Sequence, residues 1–187
     1  DEDVREEEAR LERLVSQGGV AQRDCPEIFV VDRLTKHYSS FMAVKGISFS
    51  LMPNETFGLL GVNGAGKTTT FKMITGDEFI TRGDAYLNRT SLKQDIKRFQ
   101  SQVGYCPQFD PLIDQMTVLE TMIMFARLRG IRPQLIRKTC LSLIHLLDLD
   151  DHVKKMCYTL SGGNKRKLSV AISLVGSPLV VLLDEPT

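Results

Sequence analysis

At 187 residues the chain is long enough for one domain with a sizeable core, and 42% hydrophobic against 25% charged residues is ordinary globular composition. A net charge of +1, with basic residues dispersed along the chain, gives no global electrostatic reason to expect nucleic acid. The four cysteines, Cys25, Cys106, Cys140 and Cys157, form no CxxC pair and no metal-ligand spacing, which favours reduced cytosolic thiols over a disulfide framework or a zinc site.

The chain opens on Asp1-Glu2-Asp3, acidic where a secretory signal would carry a basic region. Its longest apolar stretch, 170–183, is broken by Gly176-Ser177-Pro178 and falls short of the ~20 residues a membrane helix needs. Any membrane segment is therefore expected outside this sequence. Residues 1–17 carry seven acids and three arginines, with Glu6 and Arg10 at i and i+4 and a sparse apolar edge of Leu11, Leu14 and Val15. That pattern predicts a charged helix, read more simply as a solvated linker than as a docking element, and Gln17-Gly18-Gly19 marks a hinge after it.

From Glu27 the texture becomes β-like: Ile28-Phe29-Val30-Val31, then Ile47-Ser48-Phe49-Ser50-Leu51, then Phe57-Gly58-Leu59-Leu60, with Met52-Pro53-Asn54-Glu55 as the turn between the last two. The third run leads into Gly61-Val62-Asn63-Gly64-Ala65-Gly66-Lys67-Thr68, which fits G-x-x-x-x-G-K-[ST] and opens a helix through Thr69-Thr70-Phe71-Lys72-Met73-Ile74 that Gly76 closes. Strand, glycine loop and helix in that order suit a phosphate. The glycines let successive N–H groups converge on the β- and γ-phosphates of a nucleotide, Lys67 adds a mobile positive charge, and the Thr68 hydroxyl can ligate Mg²⁺. Tyr38, 23 residues before Gly61, offers an aromatic platform for adenine, a role for which Phe41 competes.

Gln108 follows the β-like Gln102-Val103-Gly104 in Tyr105-Cys106-Pro107-Gln108-Phe109-Asp110. Between 114 and 151 the period becomes helical, with Leu119, Met122, Ile123 and Ala126 on one face, Ile136, Cys140, Leu143 and Leu147 on another, and Gly130 and Pro133 between them. Core packing accounts for the Met122-Ile123-Met124-Phe125 run more simply than a lipid contact. Leu160-Ser161-Gly162-Gly163-Asn164 then joins a hydroxyl, two glycines and a helix start, a second arrangement of backbone N–H groups suited to phosphate. The apolar Val180-Val181-Leu182-Leu183 ends in Asp184-Glu185, as a buried parallel strand does when it presents carboxylates at its C-terminal tip. Asp184 would hold Mg²⁺ directly or through water, and Glu185 would orient and polarise an attacking water.

Taken in order, Tyr38, the loop 61–68, Gln108, the pentad 160–164 and Asp184-Glu185 resemble the nucleotide-binding domain of ABC (ATP-binding cassette) ATPases, over residues 27–187. Within that family the chain is most similar to the A-subfamily of large transporters associated with lipid export, through 104–110, Met116-Thr117-Val118, Ala126-Arg127-Leu128-Arg129-Gly130 and 160–169. The resemblance implies an α/β P-loop NTPase fold: a RecA-like parallel-sheet core, an N-terminal antiparallel β subdomain and an inserted helical subdomain at about 112–165. Residues 1–24 would be the linker helix and hinge, and 25–187 a partial nucleotide-binding domain, the second of its transporter.

The same resemblance implies that ATP and Mg²⁺ are held by Tyr38, Gly61, Asn63, Gly64, Ala65, Gly66, Lys67, Thr68 and Thr69. Gln108, with Thr68 and Asp184, would serve the metal; Gln108, Lys67 and Glu185 would serve hydrolysis. Ser161, Gly162 and Gly163 would contact ATP bound by a second such domain stacked head to tail. Its partners would be that domain and the transporter's transmembrane domains at the cytosolic face of a membrane, with lipid bound elsewhere and no nucleic acid. The alternative is a soluble ABC ATPase acting on ribosomes or nucleic acid, which would usually bring a basic arm. Asn164 replaces the family's more common Gln, and the chain reaches only Pro186-Thr187, before the family's D-loop and switch histidine. The C-terminal part of the fold is therefore expected to be missing, with a poorly supported strand at 180–183 and negligible turnover by the piece alone.

Overall fold

The computed structural model describes residues 2–16, 20 and 26–185, with side chains from residue 6 onward. The expected hinge at 17–19, Cys25 and the last two residues lie outside them. The chain divides into two compact units, residues 1–102 and 103–187.

In the first unit, β1 (Phe29–Tyr38) is buried along most of its length and pairs antiparallel with β2 (Phe41–Leu51) on one side and β3 (Arg82–Leu87) on the other; β4 (Thr90–Ser91) extends the sheet in the order β2-β1-β3-β4. The β1–β2 register runs from Phe29 opposite Leu51 to Tyr38 opposite Phe41. A bulge interrupts it at Arg33, whose φ of 43° is left-handed. β3 fits beside that bulge only because residue 83 is glycine: a Cβ there would lie 2.3 Å from the carbonyl oxygens of both Asp32 and Arg33. Asn88 and Arg89, both left-handed, make the two-residue β3–β4 turn. The sheet and the short α3 (Ile96–Ser101), capped by Asp95 accepting from the Arg98 amide at 3.1 Å, enclose Phe29, Phe99 and Leu87. Phe49 meets Phe29 edge-on at 6.0 Å and stacks on Phe57 at 4.7 Å.

Two expectations need correction here. The run 57–60 is no strand: no described residue pairs with it in a ladder, and Leu60 is 93% exposed. An extended segment becomes a strand only against a partner backbone, and the sheet of this unit runs β2-β1-β3-β4 without it. The acidic opening, by contrast, is docked rather than solvated. Helix α1 (Glu2–Ser16) buries Leu11 completely in a cluster with Val20 and Val30, with Leu14 and Val15 at its margin. Its Arg10 donates to Glu7, to Ser50 Oγ at 2.8 Å and to the buried carboxylate of Glu27. Those bonds hold the Glu7 carboxyl below the usual carboxylate range, the Arg10 contact being the main cause.

The second unit is a parallel pair, β5 (Val103–Cys106) and β6 (Val180–Leu183), joined by a helical crossover. Helix α4 (Val118–Leu128) begins with a capping box in which Thr117 and Glu120 satisfy each other's backbone N–H groups, and α5 (Pro133–Leu146) begins on a proline, whose missing N–H costs nothing there. Of the expected faces, Met122, Ala126, Ile136 and Cys140 are buried with Leu168, Ala171 and Ile172 of α6 (Gly162–Leu174), whereas Leu119, Ile123, Leu143 and Leu147 pack only partly buried at the margin and Ile144, not expected, takes the core position in α5. β5 lies close on α6 because residue 104 has no side chain; a Cβ there would stand 2.1 Å from the Ser173 carbonyl oxygen.

Candidate functional site

In the first unit, Gly61 to Gly66 form an exposed loop that runs straight into α2 (Lys67–Thr75), and Gly76, at φ 81°, stops that helix with its amide on Met73 O. Gly66 is the N-cap, left-handed at φ 92°, and brings no side chain to the first-turn amides. It is irreplaceable for a second reason: a Cβ would lie 2.6 Å from Ala43 O and 3.1 Å from Val44 Cγ2. Gly64 is also left-handed, at φ 84°, but faces open space. The first turn of α2 holds no acid, so the helix dipole and Lys67 both favour an anion there. The Lys67 ammonium donates to Gly61 O at 2.6 Å and Val62 O at 3.2 Å, which folds it over the loop it would serve. Asn63, Ala65 and Thr68 are exposed and Thr69 is half-buried, while Thr70 Oγ1 closes on Gly66 O at 3.0 Å. An uncapped helix N-terminus, a lysine and an exposed hydroxyl form a donor set that fits a magnesium-bound polyphosphate.

Tyr38 and Phe41 face each other across the end of the β1–β2 hairpin, 41% and 64% exposed. Phe41 is two residues from Ala43, the residue that Gly66 abuts, so the hairpin end neighbours the loop. Lys36 Nζ lies 4.8 Å from the Tyr38 ring centroid and is itself tied to Glu78 at 2.8 Å and Phe79 O at 2.8 Å. The lysine contact draws the Glu78 carboxyl below its ordinary range.

In the second unit, the β5–β6 ladder continues one bond past its last pair, from the Asp184 amide to Cys106 O at 3.0 Å. This buries Asp184 to 4% exposure, while Glu185 turns outward with φ 48°. The turn aims the Glu185 carboxylate back across the strand tips, where its Oε2 accepts from Gln108 Nε2 at 2.8 Å. Two residues 77 apart in sequence thus share one polar pair at the C-terminal end of a parallel sheet, the end at which such sheets place ligands. Ser161 caps α6, its Oγ accepting from the Asn164 amide at 3.3 Å, and Gly162 and Gly163 form the first turn. A Cβ on either glycine would meet nothing within 4 Å. Packing inside this unit therefore gives no reason for two bare residues, and the turn is open to a group from outside.

Arg166, Asp110 and Ser169 stand within runs that carry the A-subfamily resemblance, but the sequence assigned them no role. The Arg166 guanidinium lies between the exits of β5 and β6 and bonds backbone oxygens of both, and Asp110 Oδ1 accepts from it at 3.3 Å and from Ser169 Oγ at 2.7 Å. Their signal was weak, a charged residue in an amphipathic helix and an acid in a loop. Asn164 Nδ2 is 2.8 Å from His152 Nε2, which ties the start of α6 to the 3₁₀ turn Asp150–His152.

The sequence profile of the family described as "ABC transporter" matches residues 44–187. The chain belongs to the ABC transporter family. Among curated proteins, phospholipid-transporting ATPase ABCA3 of Mus musculus is 47% identical over 190 residues, covering 100% of this chain and 11% of that protein. Retinal-specific phospholipid-transporting ATPase ABCA4 of Bos taurus is 46% identical over 189 residues, with 100% and 8% covered. The ABC chain thus spans about a tenth of the length of the curated A-subfamily relatives it matches. A solved dimeric ATP-binding cassette in a post-hydrolysis state, bound to ADP and Pi, superposes with a TM-score of 0.75 at 22% identity, over 85% of this chain and 74% of that one, which shows a common P-loop NTPase fold. No described helix is long and apolar enough to cross a membrane.

Proposed function

We propose that this chain is the ATP-binding and ATP-hydrolysing domain of a membrane transporter of the A-subfamily, and that its turnover drives export of a phospholipid. The observation that carries the reading is the Gln108–Glu185 pair at the strand tips, in a chain whose loop 61–68 independently offers an ammonium, a helix N-terminus and an exposed hydroxyl. Mg²⁺-ATP supplies the reacting phosphoanhydride. The chain's own groups then divide the work. Gly61, Asn63, Gly64, Ala65, Gly66, Lys67, Thr68 and Thr69 hold the phosphates, with Tyr38 or Phe41 against the base. Thr68 and Asp184, with Gln108, serve the metal. Glu185 orients and polarises the attacking water, and the Gln108 amide keeps that carboxylate aimed.

The bare turn at Ser161, Gly162 and Gly163 reads as the contact for ATP held by a second nucleotide-binding domain stacked head to tail; the solved cassette of like fold is dimeric. On this reading residues 1–24 are a linker helix and hinge, 25–187 form a partial nucleotide-binding domain, and about 112–165 make the helical part that communicates with transmembrane domains at the cytosolic face. Phospholipid as the cargo rests on the activities named for the two A-subfamily relatives. The net charge of +1 gives no global electrostatic reason to expect nucleic acid.

In the full-length protein Glu185→Gln should keep ATP binding and lose turnover by on the order of 100-fold or more, measured as phosphate release beside nucleotide photolabelling. Hydrolysis at the wild-type rate would remove Glu185 from its role.

A further inference from the structure

Where a parallel ladder stops, the last carbonyl oxygens of each strand lose their partners and must find other donors. β5 and β6 stop side by side at Cys106 and Leu183, and the chain leaves each tip carrying a residue of the Gln108–Glu185 pair. One side chain serves both exits. Arg166, in the second turn of α6 and with a side chain only 15% exposed, directs Nη1 to the Pro107 carbonyl oxygen, with a longer contact to Gln108 O at 3.5 Å. Its Nη2 donates to Asp184 O at 2.6 Å and Glu185 O at 2.7 Å. Each prong of the guanidinium therefore holds one strand exit, and the rigid plane between them sets the gap. Asp110 Oδ1, itself held by Ser169 Oγ, accepts from Nη1 at 3.3 Å and supplies the counter-charge.

We propose that Arg166 is a positioning residue for hydrolysis: it fixes the spacing of the two strand exits, so that the Gln108 amide and the Glu185 carboxylate meet, and it couples that spacing to the start of the helix that bears Gly162 and Gly163. The proposal rests on the reading of Glu185 as the residue that polarises water. It assigns Arg166 no contact with nucleotide. Loss of the guanidinium leaves the phosphate loop's donors intact and lets the Glu185 backbone drift; a displacement of about 1 Å at a reacting group costs up to ~100-fold in rate. Lysine does not replace it, because a single ammonium point cannot bond two exits in a fixed plane.

The test uses the full-length transporter, with ATP as the probe and with kcat, KM and nucleotide photolabelling measured for Arg166→Ala, Arg166→Lys, Glu185→Gln and Gln108→Ala. Arg166→Ala should lower kcat by about 10–100-fold while KM for ATP changes by less than about threefold. Lysine should fail to restore kcat. Added to Gln108→Ala, Arg166→Ala should cost less than about threefold more, because both act through the same pair. A kcat within about twofold of wild type for Arg166→Ala, rescue by lysine, or full additivity with Gln108→Ala would each overturn the proposal. Should Arg166→Ala not accumulate in membranes, Arg166→Gln carries the same comparison. If Glu185→Gln hydrolyses ATP normally, the underlying assignment fails and the positioning role with it; if Glu185→Gln is inert and Arg166→Ala fully active, only the positioning role fails.

Discussion

Ser173 O would lie 2.1 Å from a Cβ on residue 104, so the approach of β5 to α6 tolerates no larger residue. Gly104→Ala should destabilise the fold by about 1–3 kcal/mol through overpacking, read as a lowered urea midpoint with an unchanged slope. Lys67 works at the same scale by a different force. Its ammonium already lies against Gly61 O and Val62 O, and replacing it with alanine removes a charge-assisted donor worth about 1.5–3 kcal/mol. ATP affinity of Lys67→Ala should fall by on the order of 10–100-fold in a titration, and affinity equal to wild type would contradict the phosphate-loop reading. The glycine loop that ends at Gly66 and the start of α2 at Lys67 were legible in sequence because such a loop is a local object, with spacing and geometry set within eight residues. The roles of Gly83, Gly104 and Arg166 were not, since each is defined by backbone oxygens that arrive from distant parts of the chain.

Helix α1 illustrates the same boundary among elements. Seven acids among the chain's first seventeen residues suggested a solvated rod, yet a narrow edge of Leu11, Leu14 and Val15 suffices to seat it on the sheet, because Arg10 crosses to Glu27 and Ser50. Leu11→Ala should cost about 2–4 kcal/mol and release α1 first, seen as faster amide exchange confined to that helix. Acid should act in the same place. The folded carboxyl of Glu7 titrates below its unfolded value, so its contribution is complete above the ordinary carboxylate range and fades as pH falls through the lowered value. Amide protection in α1, after correction for the pH dependence of intrinsic exchange, should therefore fall as pH drops through the carboxylate range, and much less so in Arg10→Ala. Helices α4 and α5 could be read from periodicity because their apolar faces repeat over eleven and fourteen residues. The β3–β4 hairpin escaped notice, since Arg82-Gly83-Asp84 breaks the apolar alternation that marks a strand. The run 57–60 misled in the opposite direction, showing strand composition without a strand beside it.

At the scale of the whole molecule, the loop at 61–68 and the turn at 160–163 are read as serving two different nucleotides, so the chain is predicted to bind ATP and, alone, to turn it over negligibly. Phosphate release by the isolated chain at the rate of the full-length transporter would refute this. The openness of Gly162 and Gly163 carries a further consequence, for selection. Alanine at either position meets no neighbour and strains no backbone, and it removes the conformational freedom that glycine forfeits on folding, a gain of about 0.4–1 kcal/mol per site. Replacing both should raise the melting temperature of the isolated chain by about 2–6 °C while abolishing turnover in the assembled transporter. A stability-based screen would thus enrich the very variants that a transport-based screen discards. On the proposed function, the bare turn is a standing load on the stability of the isolated chain that only the assembled transporter puts to use.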